Sequence, residues 1–152
     1  ASFFMQNLNT THRADIQQRG EIALPVGKAR TSFIDVRDIG AVAAITLTEN
    51  SHHNRAYTLT GSESLDYYEV ADIMSDVLGR PIRYTNPSPL SFIRQQIDGG
   101  RPLPVTLVMT ALYMLTRFGT ANVITPETAQ LLGRSPISFR QYVQTYRNAW
   151  AM

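Results

Sequence analysis

Glycine and proline interrupt this chain too often for any element to run long. Nine glycines and eight prolines fall among 152 residues, most of them where an apolar periodicity stops. Gly20, Gly79, Gly119 and Gly133 each follow a stretch with helical spacing, as C-terminal cap glycines do, and Pro81 prevents the helix before Gly79 from resuming. Between these stops lies a row of short helices and shorter strands.

Residues 3–19 read as one helix, with Phe4 or Met5, Leu8, His12 and Ile16 near helical spacing and Gly20 as its stop. Extended segments are expected at 22–25, 32–34, 56–60 and 81–84. Asp35 or Asp38 caps a helix to about Thr48. Its thin face of Gly40, Ala41, Ala43 and Ala44 suits close packing on a sheet. Asp66 and Glu69 form a capping box, and Leu65 with Val70 can staple the helix that carries Val70, Ile73, Met74, Val77 and Leu78 inward. Further helices are expected up to Asp98, from about Pro104 to Phe118, after Thr125 as N-cap with Pro126 at N1, and from a second capping box at Ser138 and Gln141. Strands followed by helices point to parallel βα units. So few short strands make a poor independent sheet, and they read as the edge of a larger one.

Composition narrows the functions. Apolar residues make up 43% of the chain, enough for a packed core. With no cysteine there is no thiol nucleophile, disulfide or Cys-based zinc site. The net charge is +2 and the basic residues are scattered, so no nucleic-acid partner is expected. Residues 65–83 do not make a DNA-binding helix-turn-helix, because Gly79-Arg80-Pro81 leads into an extended segment. The longest apolar-rich stretch, residues 103–118, is shorter than the ~20 residues of a spanning helix, so no membrane partner is expected. No secretory pattern opens the chain, and a cytoplasmic location is expected.

Conventional catalytic signatures are missing. There is no G-x-S-x-G elbow. Lys28 is the only lysine and lies four residues after none of the tyrosines. Asp35 and Asp38 have the types for acid–base work, yet capping accounts for both. His12, His52 and His53 read as surface histidines without metal-ligand spacing, so no metal is expected. The helix around Met109, Leu112, Tyr113 and Met114 is apolar almost all round. Together with Phe92 it reads either as core or as the wall of a pocket for a flat apolar substrate.

Several stretches in order resemble the NmrA-like family of NAD(P)-binding proteins, atypical short-chain dehydrogenase/reductases. They are Phe3-Phe4-Met5-Gln6-Asn7-Leu8, Thr31-Ser32-Phe33-Ile34-Asp35-Val36-Arg37-Asp38-Ile39, Tyr57-Thr58-Leu59-Thr60-Gly61, Leu78-Gly79-Arg80-Pro81, Leu132-Gly133-Arg134-Ser135-Pro136, and the closing aromatic helix. The resemblance implies an α/β fold: residues 1–152 as the helix-rich, C-terminal, substrate-side half of a Rossmann-type protein. The abrupt apolar opening, Ala1-Ser2-Phe3-Phe4-Met5, fits that expectation. The dinucleotide-binding half, with its glycine-rich loop, would lie outside this chain, where no G-x-G-x-x-G occurs.

The resemblance further implies NAD(P) as the cofactor of the full-length protein, with none held tightly by this chain alone. It implies Phe4 and Asn7 near the nicotinamide; the expected substrate contacts, Phe92, Met109 and Tyr113, come from the apolar residues around the helix instead. The implied function is an NAD(P)H-dependent oxidoreductase acting on a quinone-like or small carbonyl acceptor. The alternative is a non-enzymatic NAD(P)-binding redox sensor or regulator of a protein partner. Exposed apolar surface, and with it a homo-oligomer or protein partner, is also expected.

Overall fold

The computed structural model describes residues 3–151. In chain order the elements are β1 (Phe3–Phe4), a 3-10 turn (Met5–Leu8), α1 (Arg13–Arg19), β2 (Glu21–Ala23), β3 (Thr31–Ile34) and α2 (Val36–Thr48). There follow β4 (Ser64–Leu65), α3 (Tyr67–Leu78), β5 (Arg83–Thr85), α4 (Pro89–Asp98), α5 (Leu103–Arg117), α6 (Glu127–Leu132) and α7 (Phe139–Tyr146). The chain is a helix-rich α/β protein with a few short strands, as expected. The strands divide into two small sheets, β1-β3-β4 and β2-β5. Both β1–β3 and β2–β5 are parallel, and β4 runs antiparallel to β3.

The expected helix over residues 3–19 is corrected. Its first two described residues form β1, with Phe3 opposite Phe33 and Phe4 opposite Ile34. The Phe3 ring lies edge-on to Phe33 at 5.3 Å and to Tyr67 at 6.0 Å. Packing on a neighbouring strand overrides the local helical spacing. Helix returns only at Arg13.

Residues 56–60 form no regular strand. Their backbone is held by side chains instead: Thr60 N donates to Thr128 Oγ1 at 3.0 Å, and Thr58 N donates to the Glu127 carboxylate. Thr125 is not an N-cap. Its hydroxyl donates to the Thr58 carbonyl, and Pro126 occupies the cap of α6. Both capping boxes form as read, Asp66 with Glu69 and Ser138 with Gln141.

The core gathers Leu8, Ile16, Ile22, Leu24, Val70, Met74, Phe139, Tyr142, Val143 and Trp150. Trp150 Nε1 donates to the Leu8 carbonyl at 3.1 Å, which ties the last turn to the first. Asp35 caps α2 through Arg37 N. Asp38, expected as an alternative cap, is wholly buried and holds the chain beyond α6. It accepts from Arg134 Nη2 and from Ile137 N, both at 2.7 Å. No helix among the described residues is long and apolar enough to cross a membrane.

Gly61 sits against β3 so closely that a Cβ there would lie 1.9 Å from the Phe33 carbonyl oxygen. Gly40, inside α2, has nothing within 4 Å of its would-be Cβ. Gly61→Ala is therefore expected to destabilise by about 1–3 kcal/mol through overpacking, while Gly40→Ala stabilises by ~0.5–1 kcal/mol. Thermal melts of the two variants check the contrast, and equal melting temperatures would contradict it.

Candidate functional site

The turn after β1 is fixed by Gln6. Its Nε2 donates to Asp35 Oδ1 at 2.8 Å, and its Oε1 accepts from Val36 N at 3.0 Å. Both ends of the amide are thus used, and the turn is locked to the start of α2. Burial works against the Asp35 charge, yet hydrogen bonds from Arg37 and Gln6 hold the carboxyl below its usual range. This clamp sets the position of Asn7, the next residue, and the Asn7 carbonyl accepts from His12 N at 2.9 Å.

A cavity of about 470 Å³ opens between this turn and α5. Phe3, Asn7, Thr11 and His12 line it from one side, and Met109, Leu112, Tyr113, Leu115 and Thr116 from α5. Arg101, Thr120 and Ala121 join from the segments flanking α5. Across the cavity wall His12 Nε2 and the Tyr113 hydroxyl lie 3.0 Å apart. In one tautomer of the imidazole the phenol donates to Nε2, and in the other the ring donates to the phenol. Tyr113 is braced from behind by Phe92, edge-to-face at 5.5 Å.

Both members of the pair are neutral near pH 7. Burial, with help from the Arg101 guanidinium, pushes the His12 imidazole down to about 4. Burial pushes the Tyr113 phenol above its ordinary range, with Arg101 opposing. The site can therefore offer a hydroxyl proton and an imidazole nitrogen beside the apolar side chains of Phe3 and Met109. Among the described residues no group of three or more His, Asp or Glu could hold a metal ion.

The residues singled out from sequence fare unevenly. Asn7, Met109 and Tyr113 line the cavity. Phe92 is fully buried and stands behind Tyr113 rather than at the cavity. Phe4 is 42% exposed and lies outside it, whereas its neighbour Phe3 lines it. His12 is corrected from a surface residue to one only 5% exposed. The signal was available: His12 falls between Leu8 and Ile16 on the apolar spacing, and both of those are fully buried. His52 is half-buried and meets the Tyr57 hydroxyl at 2.7 Å, while His53 is exposed as expected. Arg101 and Phe3 at the cavity were not foreseen, and no local pattern marks Arg101.

Fold and site together define a class: a helix-rich α/β protein with short parallel βα pairs and an apolar cavity beside an edge strand. The chain belongs to the NmrA-like family, whose model matches residues 1–142. It is similar to an NAD(P)H azoreductase from Xenophilus azovorans, with 35% identity over 149 residues, 97% of this chain and 51% of that protein. It is also similar to agroclavine dehydrogenase from Claviceps fusiformis, with 28% identity over 154 residues, 99% of this chain and 53% of that protein. Among solved structures, an NADPH-dependent quinone oxidoreductase from Escherichia coli superposes with a TM-score of 0.87 at 17% identity, covering 97% of this chain and 54% of that one. Citrobacter triphenylmethane reductase gives 0.78 at 23% identity, covering 85% and 45%. At these identities the structural likeness is one of fold. The chain spans about half the length of the curated relatives it matches.

A histidine whose ionisation is depressed on folding has a definite linkage. Between pH 4 and 6.5 the unfolded chain binds more protons at His12 than the folded one. Stability from this residue is full above its ordinary value and is lost as pH falls toward 4, by ~3 kcal/mol in all. The depressed Asp35 carboxyl acts at lower pH, below its ordinary 3.8, and does not overlap this window. Urea midpoints are expected to fall from pH 7 to pH 5, and His12→Gln is expected to flatten that fall. An unchanged pH profile in the variant would refute the assignment.

Proposed function

We propose that this chain is the C-terminal, acceptor-side part of an NAD(P)H-dependent oxidoreductase, and that its cavity receives a flat quinone-like or small carbonyl acceptor. The supporting observation is the cavity: apolar walls from Phe3, Met109, Leu112 and Tyr113, with a neutral hydroxyl–imidazole pair set into them. Family membership and the oxidoreductases among its relatives support the reading from outside.

The residues present fit only part of the nucleotide. Gly20, Gly79 and Gly133 end helices in left-handed turns with φ of 65°, 69° and 63°. None opens a helix after a strand, so these residues make no backbone cradle for a pyrophosphate. The Asn7 amide at the cavity wall does fit a flat ring bearing an amide or carbonyl. Bound NAD(P)H supplies a hydride.

This chain's own residues do the rest. Phe3 and Met109 present an apolar wall that orients an aromatic face. The Tyr113 O–H stands ready to donate to the acceptor oxygen as charge develops there, and His12, at hydrogen-bond distance, orients the phenol. A phenol held neutral by burial is a weak acid. That suits a reactive acceptor such as a quinone better than an unactivated ketone.

A second reading, a redox sensor that engages a protein partner, is favoured by the outer face of α5. Leu107, Val108 and, just beyond the helix, Phe118 are exposed there and do not line the cavity. Tight cofactor binding without turnover would select it.

The intact protein is expected to oxidise NADPH in the presence of 1,4-naphthoquinone. Met109→Trp, which fills the cavity, is expected to lower kcat/KM for the acceptor at least about tenfold, a loss of roughly 1.4 kcal/mol or more. No oxidation across a panel of quinones and carbonyls would defeat the enzyme reading.

A further inference from the structure

Arg101 stands in the short link between α4 and α5, just after Gly99 and Gly100. The link is held tightly, with Gly100 N donating to Ile97 O at 2.8 Å and Arg101 N to Gln96 O at 3.0 Å. Gly100 takes φ 84°, a left-handed turn that delivers the next side chain toward α5. Arg101 lines the cavity and also a neighbouring polar groove of about 710 Å³ between α1 and α4. Thr11 is the other residue common to both.

What Arg101 touches is informative. Its side-chain hydrogen bond is to Met109 Sδ at 3.3 Å, a weak acceptor. Among the described residues it has no carboxylate partner. Of the carboxylates in the adjoining groove, Asp15 pairs with Arg19, and the exposed Asp98 lies 3.8 Å from Arg94. The titratable cavity residues beside it, His12 and Tyr113, are neutral. A half-buried cation therefore lines the cavity with no carboxylate paired to it among the described residues, and its planar fork of donors matches a carboxylate or sulfonate.

We propose that the cavity selects flat organic acceptors bearing an anionic group, with the ring against Phe3, Met109 and Tyr113 and the anion on Arg101. The acceptor role rests on the oxidoreductase reading above; the preference for an anion rests on Arg101 alone. Thr11, at the shared wall, offers a second donor to the same anion.

Equilibrium dialysis of the intact protein tests the idea, with anthraquinone-2-sulfonate and the neutral 2-(hydroxymethyl)anthraquinone as probes. The sulfonate is expected to bind at least about tenfold more tightly. Arg101→Gln is expected to remove that preference and Arg101→Lys to keep part of it, with affinity for the neutral probe unchanged. With the wild-type protein, raising sodium chloride from about 50 to about 500 mM is expected to weaken only the sulfonate, a readout that needs no variant to fold.

A phosphate of the cofactor is the rival source of the anion, so NADPH affinity is measured in Arg101→Gln and is expected to stay unchanged. Equal binding of the two probes, no binding of the sulfonate, or a tenfold loss of NADPH affinity in Arg101→Gln would each overturn the proposal. None of these readouts involves turnover. Failure here leaves the oxidoreductase reading standing, and absence of NADPH oxidation leaves the anion preference standing.

Discussion

The parallel pairing of β1 with β3 organises the site, although it joins only Phe3 with Phe33 and Phe4 with Ile34. A two-residue ladder has little stability of its own. It persists because both faces of the junction are held. On one side Phe3, Phe33 and Tyr67 meet edge to face, with ring centroids 5.3–6.0 Å apart. On the other, Gln6 spends its whole amide on Asp35 and Val36. The turn that follows is thereby registered against α2, and with it Asn7 and His12.

This dependence explains which parts of the molecule the sequence discloses. Local signals come through wherever the interaction is local. The two capping boxes are contained within four residues each, and both form. Signals fail where a distant partner decides. Residues 3–8 have helical spacing, but a strand thirty residues away takes Phe3 and Phe4 into a ladder. Residues 56–60 have strand composition, but side chains of Glu127 and Thr128 satisfy the amides of Thr58 and Thr60 in place of a neighbouring strand. Asp38 looks like a cap because its true partners, Arg134 and the Ile137 amide, are nearly a hundred residues on.

The site divides in the same way. Met109 and Tyr113 announce themselves through an apolar helix, and Asn7 through the motif around it. His12 was legible in its spacing with Leu8 and Ile16, since a polar residue on a buried stripe has to find a partner. That partner, Tyr113, lies 101 residues away and could not be named from the pattern. Arg101 sits in a linker, where no periodicity constrains it, and only the turn at Gly99 and Gly100 brings it to the cavity.

Tyr113 consequently joins stability to chemistry. The outward face of α5 is exposed at Leu107 and Val108, so the helix gains little from burial there. Its inward side is held in part by one phenol, whose ring stacks edge-on against Phe92 and whose hydroxyl reaches His12. The same contacts that seat the helix also desolvate the phenol and the imidazole, which keeps both neutral. Loosening α5 would wet the cavity, restore the ordinary ionisation of His12 and put a second cation beside Arg101 in mildly acid solution. The packing of Tyr113 against Phe92 and His12 thus shapes one wall of the cavity, and with both titratable side chains of that wall neutral, Arg101 is the charged residue that lines it.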